Sequence, residues 1–151
     1  MKHNRRQHPS IALCLLLLLL VLQMPPSPRA QDVIETIPAN ITDIRLLGSW
    51  ELDGKSGLYR GIVSVKQPGK TNFVVQWIEF DEIGALSKVE HSMPIPEIAK
   101  LGGILVDYRG EIDAQGLTVF LDLQSTSDAP PETYVLYVNG PDDYTFESAS
   151  N

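Results

Sequence analysis

The chain of 151 residues has one cysteine, Cys14, and that residue lies inside a leucine-rich run near the N-terminus. With the run removed the remainder has no thiol, which excludes disulfide frameworks, zinc thiolate sites and cysteine nucleophiles together. Histidine is almost as scarce: of His3, His8 and His91, only His91 lies beyond the N-terminal segment. A lone histidine without thiols does not build a typical zinc site, so no metal is expected. No Gly-x-Ser-x-Gly elbow and no phosphate-cradling glycine loop occurs, so neither a hydrolase triad nor a nucleotide cofactor is written in a motif.

What is present begins with an address. Lys2, Arg5 and Arg6 precede an apolar run from Ile11 to Leu22, and Met24-Pro25-Pro26-Ser27-Pro28 then breaks any helix. About a dozen apolar residues are too few to span a bilayer, so residues 1–30 read as a cleaved signal peptide and no stable membrane anchor is expected. Ala30 is a suitable small residue before the cut. The exported product belongs in the periplasm or outside the cell, and a small domain without disulfides favours a bacterial setting.

Charge sharpens this reading. Four of the twelve basic residues (Lys2, Arg5, Arg6, Arg29) lie in the signal, whereas all nineteen acids follow it, which leaves eight against nineteen and a net of −11. Nucleic acid and anionic lipid both need a basic face, so both are excluded as expected partners. A neutral or cationic partner fits the balance better.

Residues 31–44 are expected to form an extended N-terminal arm and residues 45–151 a single domain. From Leu46 the chain alternates short apolar segments with turn residues, the all-β pattern. The clearest alternation sets Ile104, Val106, Tyr108 and Ile112 against Asp107, Arg109, Glu111 and Asp113. After the Asp113-Ala114-Gln115-Gly116 turn, Leu117, Val119, Leu121 and Leu123 resume the apolar face. A further turn is expected at Gly54-Lys55-Ser56-Gly57. Phe73 to Phe80 is apolar on both faces, with Val74, Ile78 and Phe80 on the second one. Only Pro94 to Leu101 hints at a helix. About eight strands in an antiparallel up-and-down meander predict a small closing barrel, with a β-sandwich as the alternative.

Gly48-Ser49-Trp50, preceded by Ile44-Arg45-Leu46-Leu47, resembles the glycine-x-tryptophan signature that opens the lipocalin and wider calycin group, avidin-like barrels included. That resemblance implies that Gly48 and Trp50 close one end of a barrel. The chain departs from lipocalins in having no arginine after Arg109, where they set one over the tryptophan, and it has fewer tryptophans than avidin-like barrels use on their ligand.

Candidate chemistry is sparse. His91 is the sole residue through which a histidine-based hydrolytic step could pass, and its strand neighbours Glu90 and Ser92 point to the opposite face. Asp81-Glu82 and Asp142-Asp143 read as solvated turns rather than calcium loops. The remaining signal is aromatic. Tyr59, Phe73, Trp77, Tyr108 and Tyr134 fall on faces expected to point inward, and tyrosines suit a mostly dry pocket with a few oriented hydrogen bonds. The expected function is non-enzymatic binding of a small apolar or amphipathic molecule. The alternative is an interaction module that joins a homodimer or another envelope protein through an exposed face of Val74, Ile78, Phe80, Val135 and Tyr137. Pro94 to Gly103 is either a lid, a docking loop or an ordinary connection that covers one sheet end.

Overall fold

Tight turns set the architecture. The computed structural model describes residues 37–125 and 128–149, and these run through eight strands and one short helix. The elements are β1 (Ile41–Leu52), β2 (Lys55–Gln67), β3 (Lys70–Phe80), β4 (Leu86–Ile95), α1 (Pro96–Leu101), β5 (Ile104–Asp113), β6 (Gly116–Gln124), β7 (Glu132–Gly140) and β8 (Asp143–Ser148). Residues 1–30, read from the sequence as a signal peptide, and the first part of the expected arm lie outside the described residues. Strand β1 starts within the segment read as arm: the Ile41 amide donates to the Pro38 carbonyl and the Asn40 carbonyl accepts from the Val65 amide, both at 2.9 Å. Among the described residues no helix is long and apolar enough to cross a membrane.

Asp53 and Gly54, both at positive φ, make the two-residue β1–β2 turn, the left-handed pair that matches strand twist. The glycine-rich turn is therefore shorter than its sequence suggested, and Lys55, Ser56 and Gly57 already belong to β2. Each strand pairs antiparallel with its sequence neighbour, in one sheet of order β1-β2-β3-β4 and a second of order β5-β6-β7-β8. The eight-stranded meander is thus present, but its ladders do not form one closed barrel; the two-sheet arrangement agrees with the sandwich alternative. The reason lies between β4 and β5. A hairpin turn there would have continued the ladder, whereas the chain inserts α1 and then Gly102 and Gly103, both at positive φ. Gly103 donates its amide to the Gly69 carbonyl at 2.9 Å and its carbonyl accepts from Thr71 Oγ1 at 3.0 Å, so the crossover is stitched to the β2–β3 turn. Ile98 of α1 is fully buried in the core; this segment is the covering connection of the three readings above.

The apolar faces of both sheets share one core. Phe73 and Val75 of β3, Met93 and Ile95 of β4, Leu117, Val119 and Leu121 of β6, and Leu136 of β7 are all close to completely buried. Strand β5 crosses β1 at two glycines. A Cβ on Gly110 would overlap the Leu47 backbone carbonyl, and one on Gly48 would overlap the Ile112 side chain. The crossing is pinned by Arg45, whose Nη1 donates to the Asp107 carboxylate and, at 3.1 Å, to the Tyr108 carbonyl.

Two readings of which side chains face inward require correction. In β5 the register slips between Leu105 and Asp107. One extra residue in a strand reverses which side chains face the core. Leu105 and Tyr108 therefore face the core from either side of the slip, Ile104 and Val106 are exposed, and Ile112, in phase with Tyr108, is exposed beside the hollow at the end of the strand. The second face of β3 is also less open than expected. Ile78 follows a register shift after Trp77 and lies between its ladder partners Leu58 and Val89. Val135 lies between Phe120 and Glu147, and Ile78 and Val135 are each only 5% exposed. Val74 and Phe80 are half-buried, and Tyr137 alone of the five is exposed.

Candidate functional site

Alternation along β2 and β3 brings Tyr59 and Trp77 to the inner face as direct ladder partners, and β1 adds Trp50 opposite Gly57. Gly57 lies directly beneath the indole, since a Cβ there would stand 2.9 Å from Trp50 Cε2. Tyr59 and Trp77 meet edge to face at 5.3 Å and 71°, a favourable arrangement of ring quadrupoles. His91 stands across β4 from Trp77 in the ladder and makes the next corner, at 5.3 Å and 73°. These aromatic groups border two hollows at the end of the domain where the β1–β2, β5–β6 and β7–β8 turns gather. One is a cavity of about 360 Å³ walled by Ser49, Glu51, Tyr59, Asp113, Gln115 and Asn139 among others. The other, of about 250 Å³, is more apolar and reaches Asp53, Lys55, Glu90 and His91. Trp50, Leu52, Trp77 and Pro141 wall both.

The aromatic residues expected to form one site lie in three places. Tyr59 and Trp77 border this end. Phe73 is 1% exposed and packs edge to face against Tyr108 at 5.1 Å and 72°, so it fills the middle of the core. Tyr108 points the other way, under the Arg45 guanidinium at 4.6 Å, donates to the Gly61 carbonyl at 3.3 Å, and borders a separate hollow of about 270 Å³ with Thr42 and Thr71. Burial, followed by the nearby Asp43 carboxylate, pushes its hydroxyl up to about 12. Burial likewise raises Tyr59. Tyr134 stacks on Phe146 at 5.4 Å and donates to Glu132 at 2.9 Å, beside another hollow of about 140 Å³. No described cavity is bordered by Tyr59, Trp77 and Tyr108 together.

Gly48 and Trp50 both lie where β1 passes under β5. Trp50 is 9% exposed, and its Nε1–H is buried without an acceptor among the described protein groups. Leaving such a donor unmet costs about 1–3 kcal/mol, unless a water or a ligand accepts from it.

Lys55 and Glu90 at the smaller hollow belong to a network of charged groups with Glu79 and Lys88. Lys55 reaches Glu90 at 3.0 Å and Glu79 at 3.6 Å, and Lys88 reaches Glu90 at 2.9 Å and Glu79 at 3.2 Å. The Lys88 ammonium, and after it Lys55, holds the Glu90 carboxyl at about 2 against an ordinary 4.5. A depressed carboxyl supports the fold fully above its ordinary value and loses that support as pH falls through the folded value. Glu90 is therefore expected to stay ionised and paired at pH 4 and to lose its charge as pH falls toward about 2. An NMR titration of the Glu90 carboxyl checks this, with Lys88→Met expected to raise the midpoint; an unchanged midpoint in that variant would refute the role of the network.

Sequence reasoning missed one contact. His91 Nε2 lies 3.1 Å from Asp142 Oδ1, across 51 positions of chain, and Asp142 sits at positive φ in the β7–β8 turn. The pair joins β4 to the second sheet. The Asp142-Asp143 doublet was legible only as a turn, and nothing local marks its partner. Asp81 behaves as a turn residue too, accepting the Ile83 and Ala85 amides at 3.0 and 2.8 Å. Among the described residues no three His, Cys, Asp or Glu side chains converge as metal ligands. His91 makes no second side-chain hydrogen bond among the described residues. A histidine relay pairs one ring nitrogen with a carboxylate and the other with a nucleophile, and the described contact supplies the carboxylate.

No family model, no curated protein and no solved structure matches the chain.

Proposed function

We propose that this is an exported, non-enzymatic binding protein that takes a small, largely apolar or amphipathic molecule at the open end bordered by Trp50, Tyr59 and Trp77. One observation carries the reading: the chain has two tryptophans, and strands β1 and β3 bring both to the same opening beside hollows of about 360 and 250 Å³. The larger falls within the roughly 300–1,000 Å³ typical of small-molecule sites. The core beyond is filled with side chains, so the site is a mouth and not the interior lumen that a lipocalin resemblance implies. Polar groups at the walls, such as Ser49, Gln115 and Asn139, suit a ligand with a polar end.

Because both tryptophans line the opening, an occupant is expected to shift the emission of the purified mature domain during titration with small amphiphiles. Leu52→Gln, at a wall residue that is 52% exposed, is expected to weaken the response about threefold without lowering stability, since it sets an uncharged polar group against apolar ligand surface. Unchanged emission with cationic, neutral and anionic amphiphiles alike would sink the reading.

A second reading, assembly, is favoured by the outer face of the first sheet. Ile44, Ile62, Val74 and Pro94 are in ladder register across all four strands, which makes an apolar row on one face. A concentration-dependent dimer in sedimentation, abolished by Ile44→Asp, supports that reading.

A further inference from the structure

From the charge and ring geometry at the open end, and resting on the binding reading above, we infer that the ligand is an organic cation, an amine or quaternary ammonium with an apolar body.

The rings come first. Tyr59 and Trp77 cross at 71° and Trp77 and His91 at 73°, so they form corners rather than a flat stack. A compact group seated in such a corner lies over a ring face, and ring faces carry the negative end of the aromatic quadrupole. Ammonium groups exploit this best where water is partly excluded.

The rim selects in the same direction. Glu51 and Asp113 wall the larger hollow, which no basic residue borders, while Asp53 and Glu90 wall the smaller one. Lys55, the one lysine at the walls, is already held by Glu79 and Glu90, and His91 faces Asp142. Asp113 accepts only turn amides, from Gln115 at 2.8 Å and Gly116 at 3.2 Å, so its charge is not neutralised. Glu51 and Asp53 have no ion-pair partner among the described residues. An arriving anion meets this field with nothing to neutralise it, whereas a cation is drawn in.

The test uses the mature domain and three probes of one shape: phenyltrimethylammonium, its neutral isostere tert-butylbenzene, and benzenesulfonate. Binding is followed by NMR at the Trp77 indole and the His91 ring. At low salt phenyltrimethylammonium is expected to bind about tenfold more tightly than tert-butylbenzene, and benzenesulfonate not at all. Raising salt to about 0.5 M shortens the reach of the rim charges and is expected to shrink the preference severalfold. Glu51→Gln combined with Asp53→Asn keeps the turn, because asparagine tolerates the left-handed conformation of Asp53. That double variant is expected to lose about three- to fivefold in affinity for the cation and none for the neutral probe, a difference that a merely structural role would not produce. If the neutral or anionic probe binds as tightly as the cation, the ligand class is wrong and the site stands. If none of the three perturbs Trp77 and His91, the site reading falls with it.

Discussion

Phe73→Ala is expected to cost about 3–5 kcal/mol of unfolding free energy, the range for deleting a fully buried aromatic ring. Phe73 is 1% exposed, pairs with Val63 and Ile95 in the ladder, and holds Tyr108 edge to face. Its ring also comes close to Gly61, where a Cβ would stand 3.2 Å from Phe73 Cε2, so Gly61 offers no side chain of its own to fill the space. For a domain whose whole stability is of the order of 5–15 kcal/mol, the loss is a large fraction. Phe73→Leu keeps most of the volume and is expected to lose less than about 1.5 kcal/mol, which secures a measurable variant if the alanine form does not fold. Chemical denaturation with an unchanged slope measures both. A cost below about 1 kcal/mol for alanine would mean that the middle of the domain is loosely filled, and the binding site would then have to be sought there.

Gly110→Ala is expected to cost about 3 kcal/mol, the upper end for forcing an atom into a packed contact. The atom that the new Cβ meets is the Leu47 carbonyl, with Leu47 Cβ at 2.8 Å behind it. Backbone cannot rotate away as a side-chain tip can, so β5 must lift from β1 and loosen the Arg45 contacts that pin the crossing. Gly140, where a Cβ would meet nothing within 4 Å, provides the control, and its alanine variant is expected to lie within about 0.5 kcal/mol of wild type. Equal effects at both glycines would show that the cost is conformational and that the crossing contact contributes little.

Strand β6 shows how much was legible. Leu117, Val119, Leu121 and Leu123 alternate without interruption, and all four are buried. Its partner β5 alternates just as cleanly in the sequence, yet Ile104 and Val106 are exposed, because one bulge between Leu105 and Asp107 puts them out of phase with Tyr108. Nothing in the β5 sequence marks a bulge, and the strand's close contacts with Leu47 and Gly48 of β1 come from residues distant in the chain. The same limit applied to the site. The aromatic residues were correctly placed on inner faces, and four of the five proved buried, but facing inward did not bring them together. Position along the strand axis separated Trp77 from Tyr108, and no periodicity reports that distance. The His91–Asp142 contact depends on how the β7–β8 turn meets the first sheet, which the residues within either element do not encode.

The pairing pattern also bears on how the chain reaches this state. Every ladder joins strands adjacent in sequence, so each can zip from its own turn without waiting for a distant segment to diffuse in. Short closures of this kind sacrifice little chain entropy, and topologies built from them fold quickly for β proteins. The contact with the longest reach is then the meeting of the two four-stranded sheets, which sets Gly110 against Leu47. Until that step both halves present an apolar face to solvent, and it is during this interval that the chain is most exposed to aggregation and proteolysis.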